Sequence, residues 1–446
     1  MTALPQSAPS AEKYRLITID PGHFHAALMQ KEMYPQVSKR ATVFAPLGPD
    51  LAEHLKRVAL FNSRKDNPTS WELDIHTSPD FMKRALSGPA GGIVILSGRN
   101  SVKMERISAS VEAGFNVLAD KPWTLASADM PKLQAALELA ERKGLVAYDI
   151  MTERYEMTSV TARELVRDPA VFGKFLPGTE QEPGVSMESI HYIMKLVAGA
   201  PNLRPLSFFD INEQGEGLSD VGTHLVDLAQ WTLYPDQNID WRSDIKMLGA
   251  RRWPTVMSKD EFTRVTGERE FPAVLAPWVK QGRLEYYCNN EVSYALRGVR
   301  VKMNVLWNYE APPGQGDKYE AIFRGTKARV EIRQGKDENF RPEVYVVPAP
   351  GADRQAVAAA VKARIATLAK QHPGLTTEGK GQEIRVLIPD AVRTGHEAHF
   401  AEVTRHFFDY LKSPKSMPAW EKSYMLAKYY VSTKGVEMSR EAGAKK

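Results

Sequence analysis

Gly92-Ile93-Val94-Ile95-Leu96-Ser97-Gly98-Arg99-Asn100 is a continuous aliphatic run that stops in a polar turn. A strand that is apolar at every position is covered on both faces, as in a parallel sheet, whereas a half-exposed strand alternates. Upstream come Leu16-Ile17-Thr18-Ile19, a helical stretch over Ala26–Met33 and Thr42-Val43-Phe44. Downstream follow a helical stretch over Val102–Ala113, Phe115-Asn116-Val117-Leu118, a helix over Ala128–Lys143 and Leu145-Val146-Ala147-Tyr148. Aliphatic strands separated by helix-length segments are βαβ units, so residues 12–152 read as a Rossmann-type, doubly wound α/β domain with a parallel sheet.

The rhythm changes after Tyr155. Helices are expected at Thr158–Val166 and Met187–Val197, followed by loops rich in Pro and Gly. From Leu284 to Cys288, Val292 to Trp307, Tyr319 to Arg324, Ala328 to Arg333 and Glu343 to Val347, strands follow one another without intervening helices. Such succession predicts an α+β domain over residues 153–395, built on a large, mostly antiparallel sheet. Its polar, Ala/Lys-rich stretch at 350–381 reads as an insertion or lid containing a helix. Helices at His396–Leu411 and Trp420–Ser439 make residues 396–446 a C-terminal section packing back on the body.

Composition limits what such a chain does. A formal net charge of +5 over 446 residues, without a dense basic block, argues against nucleic acid as a partner. Cys288 is the single cysteine, so there is no intramolecular disulfide or thiol cluster, and a small strand residue is the expected role. No run of ~18 apolar residues predicts a membrane span. The Pro/Ser-rich start, Met1 to Ala11, lacks the order of a secretory signal. The expected location is therefore the cytoplasm, a periplasmic mature form with its signal removed giving the same sequence.

Chemistry is expected where parallel strands end, since ligands of open α/β sheets sit outside the strands' carboxyl ends. The first turn reads Asp20-Pro21-Gly22-His23-Phe24-His25, with Gly22 in the middle position of a glycine-rich phosphate loop and Asp20 and His25 where the outer glycines stand. The strand after it ends Phe44-Ala45-Pro46-Leu47, without an acid for a ribose or a base for a 2′-phosphate. NAD is thus the expected dinucleotide, with NADP left open. Two further turns, Ser97-Gly98-Arg99-Asn100 with Lys103 and Ala119-Asp120-Lys121-Pro122, join the same lip. Lys121, held extended before a proline, can hydrogen-bond a substrate hydroxyl or handle its proton. No metal is expected: His23 and His25 form a pair without a recognisable third ligand.

Gly215 to Asp227 reads as one helix, with Asp220, His224, Asp227 and Trp231 on a face opposite Leu218, Val221, Leu225 and Leu228. A carboxylate and an imidazole at i and i+4 can share a ligand, or Ser219 and Asp220 can simply cap the helix while His224 packs. Glu153-Arg154-Tyr155 and the pair His191 and Lys195 are further polar candidates, the latter either binding hydroxyls or forming a solvated helix face.

In order and spacing these motifs resemble the glucose-fructose oxidoreductase, inositol dehydrogenase and MocA family (Gfo/Idh/MocA). Ser97-Gly98-Arg99-Asn100 with Lys103 is similar to the segment after strand four, where a histidine is common at the Lys103 position. Gly114 to Pro122 is similar to the Glu-Lys-Pro motif, with Asp120 in place of glutamate, and Asp220-Val221-Gly222-Thr223-His224 to the Asp-x-x-x-His helix. Asp20 to His25, with Met151 to Tyr155, resembles a divergent branch described simply as oxidoreductases.

The resemblance implies that Lys121 and His224 are the catalytic pair, that Asp220 binds or orients the substrate hydroxyl, and that Lys121–Pro122 is cis. Cofactor contacts then fall to Asp20, Gly22, His23, Phe24, His25, Ser97, Gly98, Asn100, Lys103, Asp120 and Lys121, and substrate contacts to Arg154, Tyr155, His191 and Lys195. A homodimer or homotetramer is implied as well. The expected activity is NAD(P)-dependent hydride transfer at a hydroxyl carbon of a sugar, glycoside or cyclitol. The alternatives are a glycosidase or lyase acting through transient ring oxidation on tightly bound NAD, and a non-catalytic cofactor sensor.

Overall fold

The computed structural model describes residues 13–197 and 200–444; the Met1–Ala11 start, read above as lacking a secretory signal, lies outside them. The chain divides into two compact units. The first runs to Asp120 and takes in Ala135–Ile150 and Thr404–Ser416; the second holds Lys121–Gln134, Met151–Val403 and the chain from Met417 onward.

Unit one is built on six strands, β1 (Tyr14–Ile19), β2 (Val37–Phe44), β3 (Glu72–His76), β4 (Ile93–Leu96), β5 (Asn116–Ala119) and β6 (Ala147–Asp149). They lie in the order β3-β2-β1-β4-β5-β6 and every neighbouring pair is parallel, as the aliphatic runs predict. Every residue of β4 and β5 is buried, because helices cover both faces. Ile19 is level with Leu96, and Leu96 with Ala119. The turns beginning at Asp20, Ser97 and Asp120 therefore leave one edge of the sheet side by side, at the reversal of strand order where such sheets bind ligands.

One expectation fails here. The helix expected over Ala26–Met33 is a single turn, α1 (His25–Leu28). The following helices are α2 (Pro49–Ser63), α3 (Phe81–Leu86), α4 (Asn100–Glu112) and α5 (Met130–Lys143). A one-turn helix has too few aligned peptides for a useful dipole, so the turn after β1 offers no helix terminus to a phosphate.

Unit two begins its regular structure with α6 (Met157–Val166) and the strands β7 (Val185–Met194), β8 (Leu196–Val197) and β9 (Ala200–Pro201). Next come the short helices α7 (Gly217–Asp220) and α8 (Gly222–Leu233), then β10 (Ile245–Met257), α9 (Lys259–Thr266) and β11 (Val279–Lys280). The chain continues through β12 (Arg283–Leu296), β13 (Val299–Glu310), β14 (Lys318–Arg324), β15 (Ala328–Arg333), β16 (Glu343–Pro348), α10 (Arg354–Leu368), β17 (Thr376–Lys380) and β18 (Glu383–Leu387). Two long helices, α11 (His396–Lys412) and α12 (Ala419–Ala444), end it. Ten strands form one mixed, mostly antiparallel sheet in the order β10-β12-β13-β7-β14-β15-β16-β18-β17, with β11 beside β12.

Three sequence expectations need correction in this unit. Met187–Val197, expected as a helix, lies in β7 and β8. Val185, Met187 and Ser189 are buried while Ser186, Glu188 and Ile190 are partly exposed, a two-residue period that the polar residues concealed. The long strand expected over Val292–Trp307 is cut by a turn in which Arg297 (φ 48°) and Gly298 (φ 84°) are left-handed. The 350–381 stretch is no lid: α10 buries Val357, Val361, Ile365 and Leu368 in the core, and β17 extends the sheet through β18. Cys288 is buried in β12 as expected, and burial pushes its thiol up to about 12. Among the described residues no helix is long and apolar enough to cross a membrane.

Candidate active site

The turns of unit one converge on the Asp120 carboxylate. Lys103, in the first turn of α4, donates to Oδ1 at 2.5 Å and to the Asp120 carbonyl at 3.0 Å. The Gly98 amide donates to Oδ1 at 3.2 Å and the Ser97 hydroxyl to Oδ2 at 2.9 Å. His23 Nδ1 lies 3.0 Å and His25 Nδ1 3.4 Å from Oδ2. Burial opposes the charge of Asp120, yet the Lys103 ammonium and the two rings hold its carboxyl well below the usual carboxylate range. Ser97, Lys103, Asp120 and His25 are buried with Asn100, so the outer surface of this cluster is presented by His23 and Phe24.

Asp20 does the work of an absent glycine. Its φ of 43° is left-handed, a conformation that Asp tolerates better than most residues. Arg106 at 2.9 Å and Arg99 at 3.3 Å hold its carboxylate, and Arg99 also pairs with Asp50 at the start of α2. Gly22 is pressed between the two turns: a Cβ built on Gly98 would lie 2.7 Å from its carbonyl carbon, and one on Gly22 would lie 3.4 Å from Arg99 Nε. The close backbone approach of a dinucleotide loop is thus retained at Gly22, with a partly exposed guanidinium beside it and no helix terminus. These residues fit a dinucleotide, through a charged side chain where a glycine-rich loop would offer amides.

In unit two, Lys121 pairs with Asp220, and the Lys121–Pro122 bond is cis. Trp123, fully buried and stacked on Tyr429 at 6.3 Å, anchors the segment behind the lysine. Asp220 closes α7, whose position follows from buried Glu216: Arg252 at 2.5 Å, Arg440 at 2.8 Å and Asn290 at 3.2 Å bind that carboxylate, and Asn290 also accepts the Leu218 amide at 2.8 Å. The helix expected through Asp227 is interrupted at Val221, so Asp220 ends α7 and the half-buried His224 lies in the first turn of α8. Lost solvation at half-buried Glu153, with the charge of Glu156, pushes its carboxyl up to about 7 against the pull of Lys121.

Arg154 is the clearest correction among the site candidates. Its guanidinium, 7% exposed, grips Asp227 at 2.6 and 2.7 Å and Glu421 at 2.9 and 3.2 Å. Both carboxylates are buried, so this arginine ties α8 and α12 to the chain after β6 instead of reaching a substrate. Tyr155, beside it, is half-buried.

His191 and Lys195, although not on a helix, meet at Asp317. His191 Nδ1 lies 3.1 Å and Lys195 Nζ 2.5 Å from its Oδ2, and the imidazole stacks on Trp307 at 4.7 Å while its Nε2 meets the Ser189 hydroxyl at 2.8 Å. Burial works against the charge of Asp317, but these two partners bring it down to about 2. Arg204, over the rings of Phe208 and Trp307, adds a positive charge felt at both Asp317 and Asp220. Asp317, Arg204 and Glu216 escaped sequence reasoning because their partners are set by strand register and loop closure, which leave no local spacing signal.

The chain matches the family model "Putative oxidoreductase C terminal domain" over residues 161–440. A solved structure from Parabacteroides merdae ATCC 43184, described as "a putative oxidoreductase", is 44% identical, with a TM-score of 0.93 over 96% of this chain and 98% of that one. At 14% identity the fold also resembles GenD2 from gentamicin A biosynthesis in complex with NAD, with a TM-score of 0.56 over 99% and 98% of the two chains. A third similar fold, again at 14% identity, is the 3-ketoreductase KijD10 from Actinomadura kijaniata in complex with NADP and TDP-benzene, with a TM-score of 0.53 over 94% and 95%. No curated protein matches the sequence.

Proposed function

The chain belongs to the oxidoreductase family defined by the "Putative oxidoreductase C terminal domain", and from that premise we propose that it is a nicotinamide-dependent enzyme of the Gfo/Idh/MocA type acting on a hydroxyl carbon of a sugar, glycoside or cyclitol. The observation that carries this reading is the Lys121–Asp220 ion pair, which places an ammonium two residues past the end of the β5 strand. A nicotinamide, when bound, supplies the site of hydride transfer. The chain's part is to bind, orient and move a proton.

The dinucleotide is held by the turns of unit one, through Arg99 and His23 and the close approach at Gly22. Lys121, positioned by its ion pair with Asp220, donates to the substrate hydroxyl oxygen and offsets negative charge that develops there. The His224 ring accepts the hydroxyl proton. His191, Lys195, Asp317 and Tyr155 offer donors and acceptors to further hydroxyls. So many polar groups suit a polyhydroxylated ring, whose hydroxyls can share the remaining donors and acceptors of side chains already paired with one another. Support for the cofactor comes from the NAD in the GenD2 complex and the NADP in the KijD10 complex, and support for chemistry at a carbonyl or hydroxyl carbon from KijD10's description as a 3-ketoreductase.

The reading is tested by incubating the full-length protein with NAD or NADP and a panel of hexoses, inositols and disaccharides, followed by mass spectrometry. Loss of two mass units with reduced cofactor formed is the expected result; bond cleavage without net reduction identifies the redox-assisted lyase chemistry instead. Turnover of a hydroxy acid or aldehyde with every carbohydrate unchanged overturns the sugar assignment.

A further inference from the structure

We propose that His23, His25 and Asp120 form a mononuclear site for a divalent transition-metal ion of the zinc class. The sequence shows two histidines one residue apart and no third ligand at a recognisable spacing. The fold supplies it: parallel register sets the end of β5 level with the end of β1, which brings the Asp120 carboxylate to the His-Phe-His turn. One nitrogen of each ring and one carboxylate oxygen lie within 4.8 Å of one another.

Distances favour a metal shell. Both Nδ1 atoms approach the same oxygen, Asp120 Oδ2, at 3.0 and 3.4 Å. Metal–ligand bonds of 2.0–2.1 Å in a tetrahedron set ligand atoms about 3.3 Å apart, so these separations are already those of a tetrahedral edge. The two imidazoles stand edge to face, with centroids 4.2 Å apart and planes at 81°, so both rings border the Asp120 carboxylate without stacking on each other. Imidazole nitrogen is a borderline donor, so two such ligands beside one carboxylate select zinc, cobalt or nickel over calcium or magnesium.

The surroundings are those of a ligating carboxylate. Ser97 donates to Oδ2, while Lys103 and the Gly98 amide fix Oδ1 on its far side, an arrangement that orients a ligand through its second contacts. The Lys103 charge also opposes the ion, so binding is weaker than at a structural zinc site. His25 and Asp120 are buried, whereas the His23 side chain is 40% exposed, so the open coordination positions face solvent and accept water or a ligand oxygen. The site lies wholly within unit one and shares His23 with the proposed dinucleotide turn, so the metal is titrated in the absence of NAD and NADP.

Tag-free, full-length protein, stripped with a chelator, is titrated with Co²⁺, read by its visible d–d absorption, and with Zn²⁺ by calorimetry. One equivalent is expected, with Co²⁺ bands of a low-coordinate nitrogen and oxygen shell. His23→Ala, at an exposed position, is expected to weaken both ions by at least about tenfold. His25→Gln, with its fold checked by circular dichroism, is expected to do the same. Failure of the parent protein to bind either ion at about 100 μM, or equal binding by folded His23→Ala, overturns the proposal.

Discussion

The ammonium of Lys121 and the carboxylate of Asp220 meet across 99 residues of sequence, with side chains only 13% and 15% exposed. A pair so shielded feels less solvent screening than one at the surface, and its geometry is set by the anchored Trp123 segment and by α7. Lys121→Ala and Lys121→Met are each expected to lower turnover of the carbohydrate found in the panel by about 100-fold or more. Asp220, left without its partner, should cost the fold no more than about 1–3 kcal/mol. Variants with parental turnover contradict the assignment.

Glu153 gives a pH test with a definite sign. Burial and Glu156 raise its carboxyl from 4.5 to about 7 in the folded chain, so the folded state holds that proton more tightly than the unfolded state. Stability from this group is complete below about 4.5 and is lost as pH climbs toward 7. Glu153→Gln should match the parent near pH 4.5 and exceed it by about 1–3 kcal/mol at pH 8, read by urea denaturation. A stability difference that stays flat with pH, or grows toward acid, contradicts it.

Removing Arg154 tests its structural role. Arg154→Leu strands the buried carboxylates of Asp227 and Glu421, although Lys428 remains 3.6 Å from the former. The expected cost is about 3–5 kcal/mol in denaturant unfolding. A stable variant with a raised KM would instead return this residue to the substrate.

The doubly wound unit was legible because aliphatic strands announce themselves by composition, and Lys121 and Asp220, whose ion pair no spacing announced, stood out because each lies in a motif at or just past the end of a regular element. Three features were hidden for physical reasons. β7 carries Glu188 and His191, with Lys195 directly after it, on a strand that also buries Met187 and Ile193, so its period of two was masked and it read as a helix. Arg154 looked like a ligand group because sequence cannot show that two distant carboxylates are buried against it. Asp20 broke the glycine pattern, yet its left-handed φ performs the same turn, so the motif was weaker in letters than in backbone geometry.

Gly98 is a tight point between the two turns proposed to hold the dinucleotide. At a φ of 78°, an added Cβ would stand 2.7 and 2.8 Å from the carbonyl carbon and Cα of Gly22 and 3.0 Å from the His23 amide nitrogen. Gly98→Ala must therefore push the two turns apart, at a stability cost of about 1–3 kcal/mol. Dinucleotide affinity should fall by at least about tenfold in calorimetry, and parental affinity in a folded variant would remove this turn from the cofactor site.

Cofactor binding itself is the most direct measurement. Purified parent protein is titrated separately with NAD and NADP by calorimetry, and a denatured sample is checked for nicotinamide carried through purification. Saturable binding of one dinucleotide below about 1 mM, or its release on denaturation, is the predicted result. Absence of carried cofactor, together with no binding of either dinucleotide at millimolar concentration, would contradict the account.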